Sequence, residues 1–522
     1  MCDCPIRTSP LVFQRGSIEV YLMALFSARG LARGCSLLAI AAVASCCAHP
    51  STPGAAAPTA PNPNLAADLA RSVTVDAMMV HLQQLQQVAD ANGGNRAEGT
   101  SGYDASADYV AKVLKDRGFE VQTPELSRLK VLSEGKPLVD IGGRPYALDQ
   151  ASYFAQTPKG GLKANIIRPS GKASGCAAAD YGTLKVDGQI AVVDGTGCSV
   201  VDKHNVAKQK GASAVLVAMQ AGAGEGLFTP NYYEQLSIPV GIIDSGVDTL
   251  LRRNSSPVNL VLDMNVAKVR SHSVIAQTTT GDHANVVLTG AHLDSVSKGP
   301  GINDNGTGVA AVLETALQLG PKPVVNNAVR FAFWTAEEDG LAGSLEYAKS
   351  RSPEELNDIA LYLNFDMLGS PNAGYFVLDG DQSAAKPDPN RPPLDVPEGS
   401  AGIERTFAGY LNLAGKRPAA EEFSGRSDYG PFMAAGIPVG GISSGALERM
   451  SGPEAKTWEG HAGQPFDPNY HGPKDTLANV GKTALGINGP AVAFAVGTYA
   501  LSTTGPNGVP ERKVRRHSPL ER

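Results

Sequence analysis

Histidine and carboxylate side chains recur along the chain in positions suited to holding metal ions. His292 and Asp294 directly follow an apolar, β-branched run, and Asp304 lies in a glycine-rich loop soon after. An extended backbone directs residues two apart to one face, and a carboxylate beside an imidazole commonly supports a metal-binding histidine. Later candidates for the same chemistry are Glu337, Glu338, Asp366 and His471.

Each of these groups alone also has an ordinary structural explanation. The first stretch could be a glycine-rich turn with a hydrogen-bonded His–Asp pair, exposed glutamates are usually solvated, and an aspartate after a strand often caps a helix. Their recurrence after successive strands or in late loops is what favours a site. Two histidines together with three of these carboxylates, and without any cysteine, suit a pair of zinc ions bound through nitrogen and oxygen.

The elements around these residues predict an α/β fold. Residues 285–290 form an apolar run typical of a buried strand, and residues 309–319 have helical apolar spacing that ends at Gly320. Residues 329–334 and 361–365 are two further apolar runs, each followed by acidic residues. Ligands of open α/β sheets bind outside the carboxyl ends of the strands, which is where the candidates lie.

Length and charge limit the classes of function. The 522 residues are enough for a signal segment and two domains of about 100–200 residues each. The net charge of -6 gives no basic signature of nucleic-acid binding.

The first 45 residues are predicted to be a signal peptide. Arg29 and Arg33 precede a short apolar run over residues 37–43, which is too short to span a bilayer. The following Val-Ala-Ser-Cys sequence resembles the lipobox of bacterial lipoproteins, with Cys46 as the lipidated residue. We therefore expect an exported protein anchored to the membrane outside the cytoplasm. Ordinary cleavage and secretion is the alternative, and Met23 is a second possible start.

The rest of the chain divides into a linker, a split domain, an insert and a tail. Residues 46–64 are rich in proline and alanine, as in an extended linker. Two amphipathic helices are expected within residues 65–139, one ended by Gly93-Gly94 and the other by Gly118. The catalytic domain is expected to resume over residues 268–505, and the basic residues 506–522 are expected to be disordered.

Residues 140–267 are predicted to form a β-rich inserted domain. Short β-branched runs there alternate with glycine-rich turns, without a cluster of metal-type ligands. Cys176 and Cys198 are the only cysteines after residue 47, and in an exported protein they are expected to form a disulfide. The sequence around both cysteines, with Lys203 and Ala207, resembles the protease-associated (PA) domain, a noncatalytic module found in peptidases.

Three segments of the chain resemble metallopeptidase family M28, in particular its secreted bacterial aminopeptidases of the Streptomyces griseus type. They are residues 292–308, residues 331–344 and residues 425–480, which include the strings Gly-Arg-Ser-Asp-Tyr-Gly-Pro-Phe and Ala-Gly-Gln-Pro-Phe-Asp. The resemblance implies a zinc-dependent exopeptidase fold, a mixed and mostly parallel sheet flanked by helices, with the PA domain inserted.

The resemblance also implies roles for the matching residues. Two zinc ions per chain would be held, one by His292 and Asp366, the other by Glu338 and His471, with Asp304 bridging them. Glu337 would be the general base, and Tyr470 would donate a hydrogen bond to the oxyanion. Asp294 would support His292, and Arg426 would contact the substrate. The peptide bond between Asp304 and Asn305 is expected to be cis.

The implied function is an aminopeptidase that removes single residues from the amino terminus of peptides. A carboxypeptidase on the same fold and a noncatalytic binding protein are the alternatives; retention of all five ligands disfavours a single-zinc glutaminyl cyclase. The chain departs from close relatives at Asn469 and Lys474, where cysteines would flank the Tyr-His pair. Ser443 stands where relatives can carry an aromatic residue, so the resemblance does not imply a preference for large apolar amino-terminal residues.

Overall fold

The computed structural model describes residues 60–171, 173–219, 227–384 and 394–520. These residues form two compact units, one of residues 128–268 and one of the segments before and after it. The predicted signal peptide, lipidated Cys46 and most of the linker lie outside the described residues.

The helices, numbered in chain order, occur mainly in the unit that is continuous with both ends of the described chain. They are α1 (Leu65–Ser72), α2 (Val75–Ala91), α3 (Ser101–Arg117), α4 (Val200–Gln209), α5 (Ser245–Arg253), α6 (Thr307–Leu319), α7 (Ala342–Lys349), α8 (Pro353–Asp358), α9 (Ser400–Leu413), α10 (Tyr429–Ala434), α11 (Gly452–Trp458) and α12 (Lys482–Leu501). The helices expected before Gly93-Gly94 and before Gly118 are α2 and α3.

The strands are numbered in the same way. They are β1 (Val121–Gln122), β2 (Glu125–Ser133), β3 (Leu138–Ile141), β4 (Arg144–Ala147), β5 (Asp149–Gln150), β6 (Leu162–Ala164), β7 (Ile166–Ile167), β8 (Ile190–Asp194), β9 (Ala214–Ala218), β10 (Val240–Ile243), β11 (Val258–Val261), β12 (Asn265–His272), β13 (Val274–Gln277), β14 (Asp282–His292), β15 (Asn327–Trp334), β16 (Ile359–Phe365), β17 (Phe376–Leu378), β18 (Ala419–Glu421) and β19 (Val439–Ser443).

The larger unit is built on an eight-stranded sheet in the order β1-β13-β15-β14-β16-β19-β17-β18. Its four central strands, β15, β14, β16 and β19, run parallel, while β13 and β17 are antiparallel to their central neighbours. Every residue of β16 is buried, as expected for a parallel strand covered on both faces. The predicted mixed, mostly parallel α/β sheet flanked by helices is confirmed.

Helices α6 and α12 pack on this sheet, and α1 and α2 pack against those two helices. Thr74 caps α2 by accepting from the Ala77 N–H, and Gly118 ends α3 in the left-handed region at φ 99°. Helix α1 was not predicted, because its eight residues make only about two turns, too few for helical apolar spacing to stand out. Helix α12 is apolar and long enough to span a bilayer, but 67% of its apolar window is buried inside this unit, as in a core helix.

The inserted unit contains two sheets, β5-β10-β9-β8-β7 and β4-β3-β11-β6. It begins at residue 128 rather than at the predicted boundary of 140, because β2 pairs with β12 at the other end of the insert. The predicted disulfide joins Cys176 and Cys198. The buried Lys203 ammonium donates to the carbonyl oxygens of Ser174 and Thr196, and so connects the two segments that carry the cysteines.

The prediction of a disordered basic tail is wrong for most of its length, since the structure describes it through residue 520. Arg515 is only 3% exposed, and its guanidinium donates to the Asn357 carbonyl at 3.1 Å and to the Asn285 side chain. The buried His517 Nδ1 lies 2.8 Å from the Leu356 carbonyl oxygen. Two basic side chains are ordered here because unused acceptors around α8 receive their hydrogen bonds, a pairing that the sequence pattern does not indicate.

Candidate metal centre

The carboxyl ends of three neighbouring strands supply most of the centre. His292 is the last residue of β14, Glu337 and Glu338 follow β15, and Asp366 follows β16. Because β15 and β16 pair with β14 from either side, these ends converge at one edge of the sheet. Asp304 joins them from the loop that leads into α6.

Asp304 lies between the two histidines and faces both. Its Oδ1 is 3.3 Å from His292 Nε2, and its Oδ2 is 3.2 Å from His471 Nε2. A second carboxylate adjoins each histidine, with Asp366 Oδ1 3.3 Å from His292 Nε2 and Glu338 Oε2 3.0 Å from His471 Nε2. The five predicted ligands therefore form two His–carboxylate halves that share Asp304.

Glu337 joins the half around His292, with its Oε2 3.9 Å from His292 Nε2. Neighbouring residues of a straight strand would point to opposite faces, so that Glu337 and Glu338 could not both face the centre. Ala336, just before them, has a left-handed φ of 55°, which turns the backbone at the end of β15. Gly340, two residues after Glu338, is also left-handed at φ 94°, but the backbone already turns at Ala336.

Asp294 is completely buried and supports the glutamate segment. Its Oδ1 accepts from the Glu337 N–H at 3.1 Å, and its Oδ2 accepts from the Glu338 N–H at 3.3 Å. Its contact with His292 is through the backbone, because His292 Nδ1 lies 3.1 Å from the Asp294 carbonyl oxygen and 3.7 Å from Oδ1. The carboxylate thus holds the two glutamates more directly than it holds the imidazole.

Burial makes the charges of this cluster costly. Burial raises the pKa of Glu337 well above its usual range, and burial together with Asp304 raises the pKa of Glu338 to about 7. Although burial alone would lower it, the hydrogen bonds with Asp304 and Glu338 raise the pKa of His471 to about 10. Four crowded carboxylates thus favour any positive charge placed among them.

Two buried carboxylate oxygens of the cluster have no hydrogen-bond partner. They are Glu338 Oε1 and Asp366 Oδ1, and the latter lies within 3.3 Å of His292 Nε2 without forming a hydrogen bond to it. An unsatisfied buried oxygen carries a desolvation cost of about 1–3 kcal/mol or more. Two groups of ligand atoms in the cluster are close enough together to hold a divalent cation each. They are His292, Glu337 and Asp366, and Asp304, Glu338 and His471.

The peptide bond between Asp304 and Asn305 is cis, as predicted. The Asn305 side chain connects this loop to the end of β16. Its amide donates to the Phe365 carbonyl at 2.8 Å, and its Oδ1 accepts from the Met367 N–H at 3.1 Å. Asp304 and Asp366 are thereby held by one hydrogen-bonded side chain.

Tyr470 and Arg426 differ in how close they come to the cluster. The Tyr470 ring stacks on the His471 imidazole with centroids 3.8 Å apart, and its hydroxyl has no hydrogen-bond partner in the described part of the chain. Arg426 is exposed and is not brought into the cluster, but its neighbour Ser427 donates to Asp366 Oδ2 at 2.8 Å. The segment around Arg426 therefore borders the centre at Asp366.

Comparison with known proteins identifies the family. The model of peptidase family M28 matches residues 273–496. The probable lipoprotein aminopeptidase LpqL of Mycobacterium tuberculosis is 50% identical over 445 residues, which cover 85% of this chain and 88% of that protein. The chain belongs to peptidase family M28. Within this M28 chain, residues 162–248 match the PA domain, in agreement with the resemblance of the insert.

Two further similarities extend over most of the M28 chain. An aminopeptidase of Pseudomonas aeruginosa is 36% identical over 451 residues, covering 83% of this chain and 82% of that protein. Among solved structures, an aminopeptidase from Aneurinibacillus sp. strain AM-1 has a TM-score of 0.49 at 23% identity, covering 84% of this chain and 96% of that chain.

Sequence reasoning missed two buried residues that hold the loops of the M28 site. The Asp475 carboxylate accepts from the Asn303 N–H at 2.7 Å and from the Asp304 N–H at 3.0 Å. The guanidinium of Arg96 is fully buried and donates to carbonyl oxygens of Leu293, Pro300 and Gly301. Both residues lie in segments that carry turn signals alone, so that only the folded contacts identify them.

Proposed function

We propose that this chain is a zinc-dependent aminopeptidase that holds two zinc ions and removes single residues from the amino terminus of peptides. The observation that carries the proposal is the position of Asp304, with one oxygen toward His292 and the other toward His471. Two metal sites that share a carboxylate need this arrangement. The names of the curated relatives, which are aminopeptidases, support the direction of cleavage.

The residues present fit such a pair of ions. His292 and Asp366 would hold one zinc, Glu338 and His471 would hold the other, and Asp304 would contact both. The unpartnered Glu338 Oε1 and Asp366 Oδ1 are the atoms that gain most from a nearby cation. When bound, the two ions would acidify a water molecule and polarise the scissile carbonyl group.

Glu337 is the residue we assign to proton transfer. Its carboxylate takes a proton from the attacking water and then delivers it to the nitrogen of the leaving amine, so that the proton balance closes within one turnover. Burial and the neighbouring carboxylates already raise its pKa, which makes it a better base than an exposed glutamate. The hydrogen bond from the Glu337 N–H to Asp294 fixes the position of this base.

Tyr470 is the residue we assign to the carbonyl oxygen. Its hydroxyl is free of other partners within the described chain, and it is a proton donor because burial raises its pKa above the usual value. A hydrogen bond to the oxygen that becomes negative stabilises the transition state more than the substrate. The stacked His471 ring restricts where the phenol can lie.

A free amino terminus is the substrate group that we propose for this centre. With two zinc ions bound, the charges of Glu337, Glu338, Asp304 and Asp366 would be balanced by the four positive charges of the ions, so that net charge alone selects neither terminus of a peptide. The support for cleavage at the amino terminus is therefore the names of the aminopeptidase relatives.

We also propose that the protein acts outside the cytoplasm on a lipid anchor at Cys46. The support is the Val-Ala-Ser-Cys sequence behind a charged and apolar leader, together with a relative whose name includes lipoprotein. An enzyme in that location would meet peptides in the exported or extracellular space.

The proposed activity is tested with aminoacyl-p-nitroanilides, free peptides and amino-terminally acetylated peptides, each with and without a chelator. We expect release of the first residue from the unblocked substrates, and no cleavage after acetylation or chelation. Readdition of zinc should restore activity. Cleavage of acetylated peptides from the carboxyl terminus would show a carboxypeptidase instead.

A further inference from the structure

A carboxylate beside the proposed metal centre has no cation to balance it. Glu421 ends β18, and its Oε2 accepts a hydrogen bond from Ser443 Oγ at 2.7 Å. Its electrostatic neighbours are the carboxylates of Glu448 and Asp366, and no lysine or arginine in the described part of the chain offsets its charge. Arg426 is exposed on the same connecting segment and does not pair with it.

The strand register places this carboxylate next to the centre. Strands β16 and β19 pair in parallel up to Phe365 opposite Ile442, and Asp366 and Ser443 are the next residues along the two chains. Neighbouring strands are about 4.8 Å apart, and in-register residues share a face of the sheet. Ser443 therefore holds the Glu421 carboxylate on the Asp366 side of the cluster.

The contacts of the cluster run from Tyr470 at one end to Asp366 at the other, which is the end nearer Glu421. Successive contacts follow the line Tyr470, His471, Asp304, His292 and Asp366. Asp366 and the segment before α10 bound the second end, because Ser427 donates to Asp366 and the Tyr429 hydroxyl accepts from the Ser424 and Gly425 N–H groups.

This asymmetry decides which part of the substrate fits each end. On the leaving side of the scissile bond a peptide can have any length, whereas on the acyl side an aminopeptidase substrate has a single residue. The bounded end beyond Asp366 suits that single residue. Ser443 is a small side chain and Glu421 is exposed, so that a long substrate side chain can reach the Glu421 carboxylate.

We infer that Glu421, held by Ser443, receives the positively charged side chain of an amino-terminal lysine or arginine. This inference rests on the proposed aminopeptidase function and names its preferred substrate class. The second oxygen of Glu421 has no hydrogen bond within the described chain and remains available to an ammonium or guanidinium group. Glu448, the neighbouring carboxylate that holds no proposed metal ion, increases the negative potential at the same place.

The test compares kcat/KM for lysyl-p-nitroanilide with kcat/KM for norleucyl-p-nitroanilide, whose side chain has the same carbon chain without the charge. We expect the wild-type protein to prefer the lysyl substrate. In Glu421→Gln the lysyl-to-norleucyl ratio should fall about tenfold to a hundredfold, as for the loss of a charged hydrogen bond. Glu422→Gln, which removes the same charge from the adjacent residue, should leave the ratio unchanged because Glu422 has no hydrogen bond with Ser443.

A second variant, Ser443→Ala, keeps the Glu421 charge but removes its hydrogen bond. It should lower the ratio less than Glu421→Gln does, and added salt should lower the wild-type ratio. An unchanged ratio in Glu421→Gln, or a wild-type preference for the norleucyl substrate, would overturn the inference and leave the aminopeptidase standing. Hydrolysis of neither substrate by the zinc-loaded protein would contradict the proposed function and this inference with it.

Discussion

The carboxylate of Asp294 accepts the backbone N–H of Glu337 at 3.1 Å from a position with no solvent exposure. The same carboxylate accepts the Glu338 N–H through its other oxygen. The proposed base and the proposed metal ligand next to it are therefore positioned by one buried side chain.

The first prediction concerns this support. Asp294→Asn replaces one acceptor oxygen by an NH₂ group, which cannot accept a hydrogen bond. That group would face the backbone N–H of Glu337 or of Glu338, and the segment that carries these two glutamates would shift. We expect kcat to fall about 10–100-fold, the usual effect of losing a partner behind a metal ligand. Zinc content should fall less than it does when a ligand is removed. The exposed Glu346→Gln on α7 is the charge-matched control and should keep its turnover.

The second prediction concerns the free hydroxyl of Tyr470. Tyr470→Phe keeps the ring stacked on His471 and removes only the donor to the carbonyl oxygen. We expect kcat to fall about 10²–10³-fold with KM and zinc content little changed, because the lost bond strengthens in the transition state. Tyr410→Phe, which removes a hydroxyl from α9, should have no such effect. A loss confined to KM would mean that Tyr470 binds substrate rather than the oxyanion.

The elements that place the ligands could be predicted because periodicity determines them. The apolar run before His292 and the helical spacing after Asp304 correspond to β14 and α6, and family resemblance added the pairing of distant residues. The left-handed Ala336 could not be predicted, because nothing in its side chain distinguishes it from an alanine in a strand. The tail residue Arg515 was expected to be disordered, because composition does not show which acceptors elsewhere in the chain will bind its guanidinium group.

The third prediction concerns metal removal. Without cations the buried carboxylates repel one another and leave Glu338 Oε1 and Asp366 Oδ1 unsatisfied. A chelator should therefore lower the Tm, and zinc at 100 times its dissociation constant should restore about 2.7 kcal/mol of stability. Asp304→Asn should abolish most of this zinc-dependent shift in calorimetry, while Glu346→Gln should retain it. Equal Tm values with chelator and with zinc would contradict a metal site in this cluster.

The fourth prediction concerns the membrane anchor. Cys46→Ala removes the residue expected to carry the lipid and should move the protein from the membrane and detergent phases to the soluble fraction. Cys47→Ala, one residue further, is the matched control and should leave partitioning unchanged. If Cys46→Ala partitions as the wild type does, the protein is not anchored through this cysteine.

The fifth prediction separates the adjacent glutamates, and it tests the central claim of a two-metal peptidase with a glutamate base. Glu338→Ala removes a ligand of His471's half of the site and should lower bound zinc. Glu337→Gln preserves size and hydrogen bonding but cannot take a proton from water, so both ions should remain. Its kcat should fall by about 10²–10⁴, with KM little changed.

The most direct measurement is therefore zinc per chain together with kcat on leucyl-p-nitroanilide for the purified Glu337→Gln protein. The account predicts two zinc ions per chain, as in the wild type, and a loss of turnover of at least about a hundredfold. Near-normal turnover with both ions bound would show that another residue is the base. Loss of zinc along with the activity would show that Glu337 is a metal ligand instead.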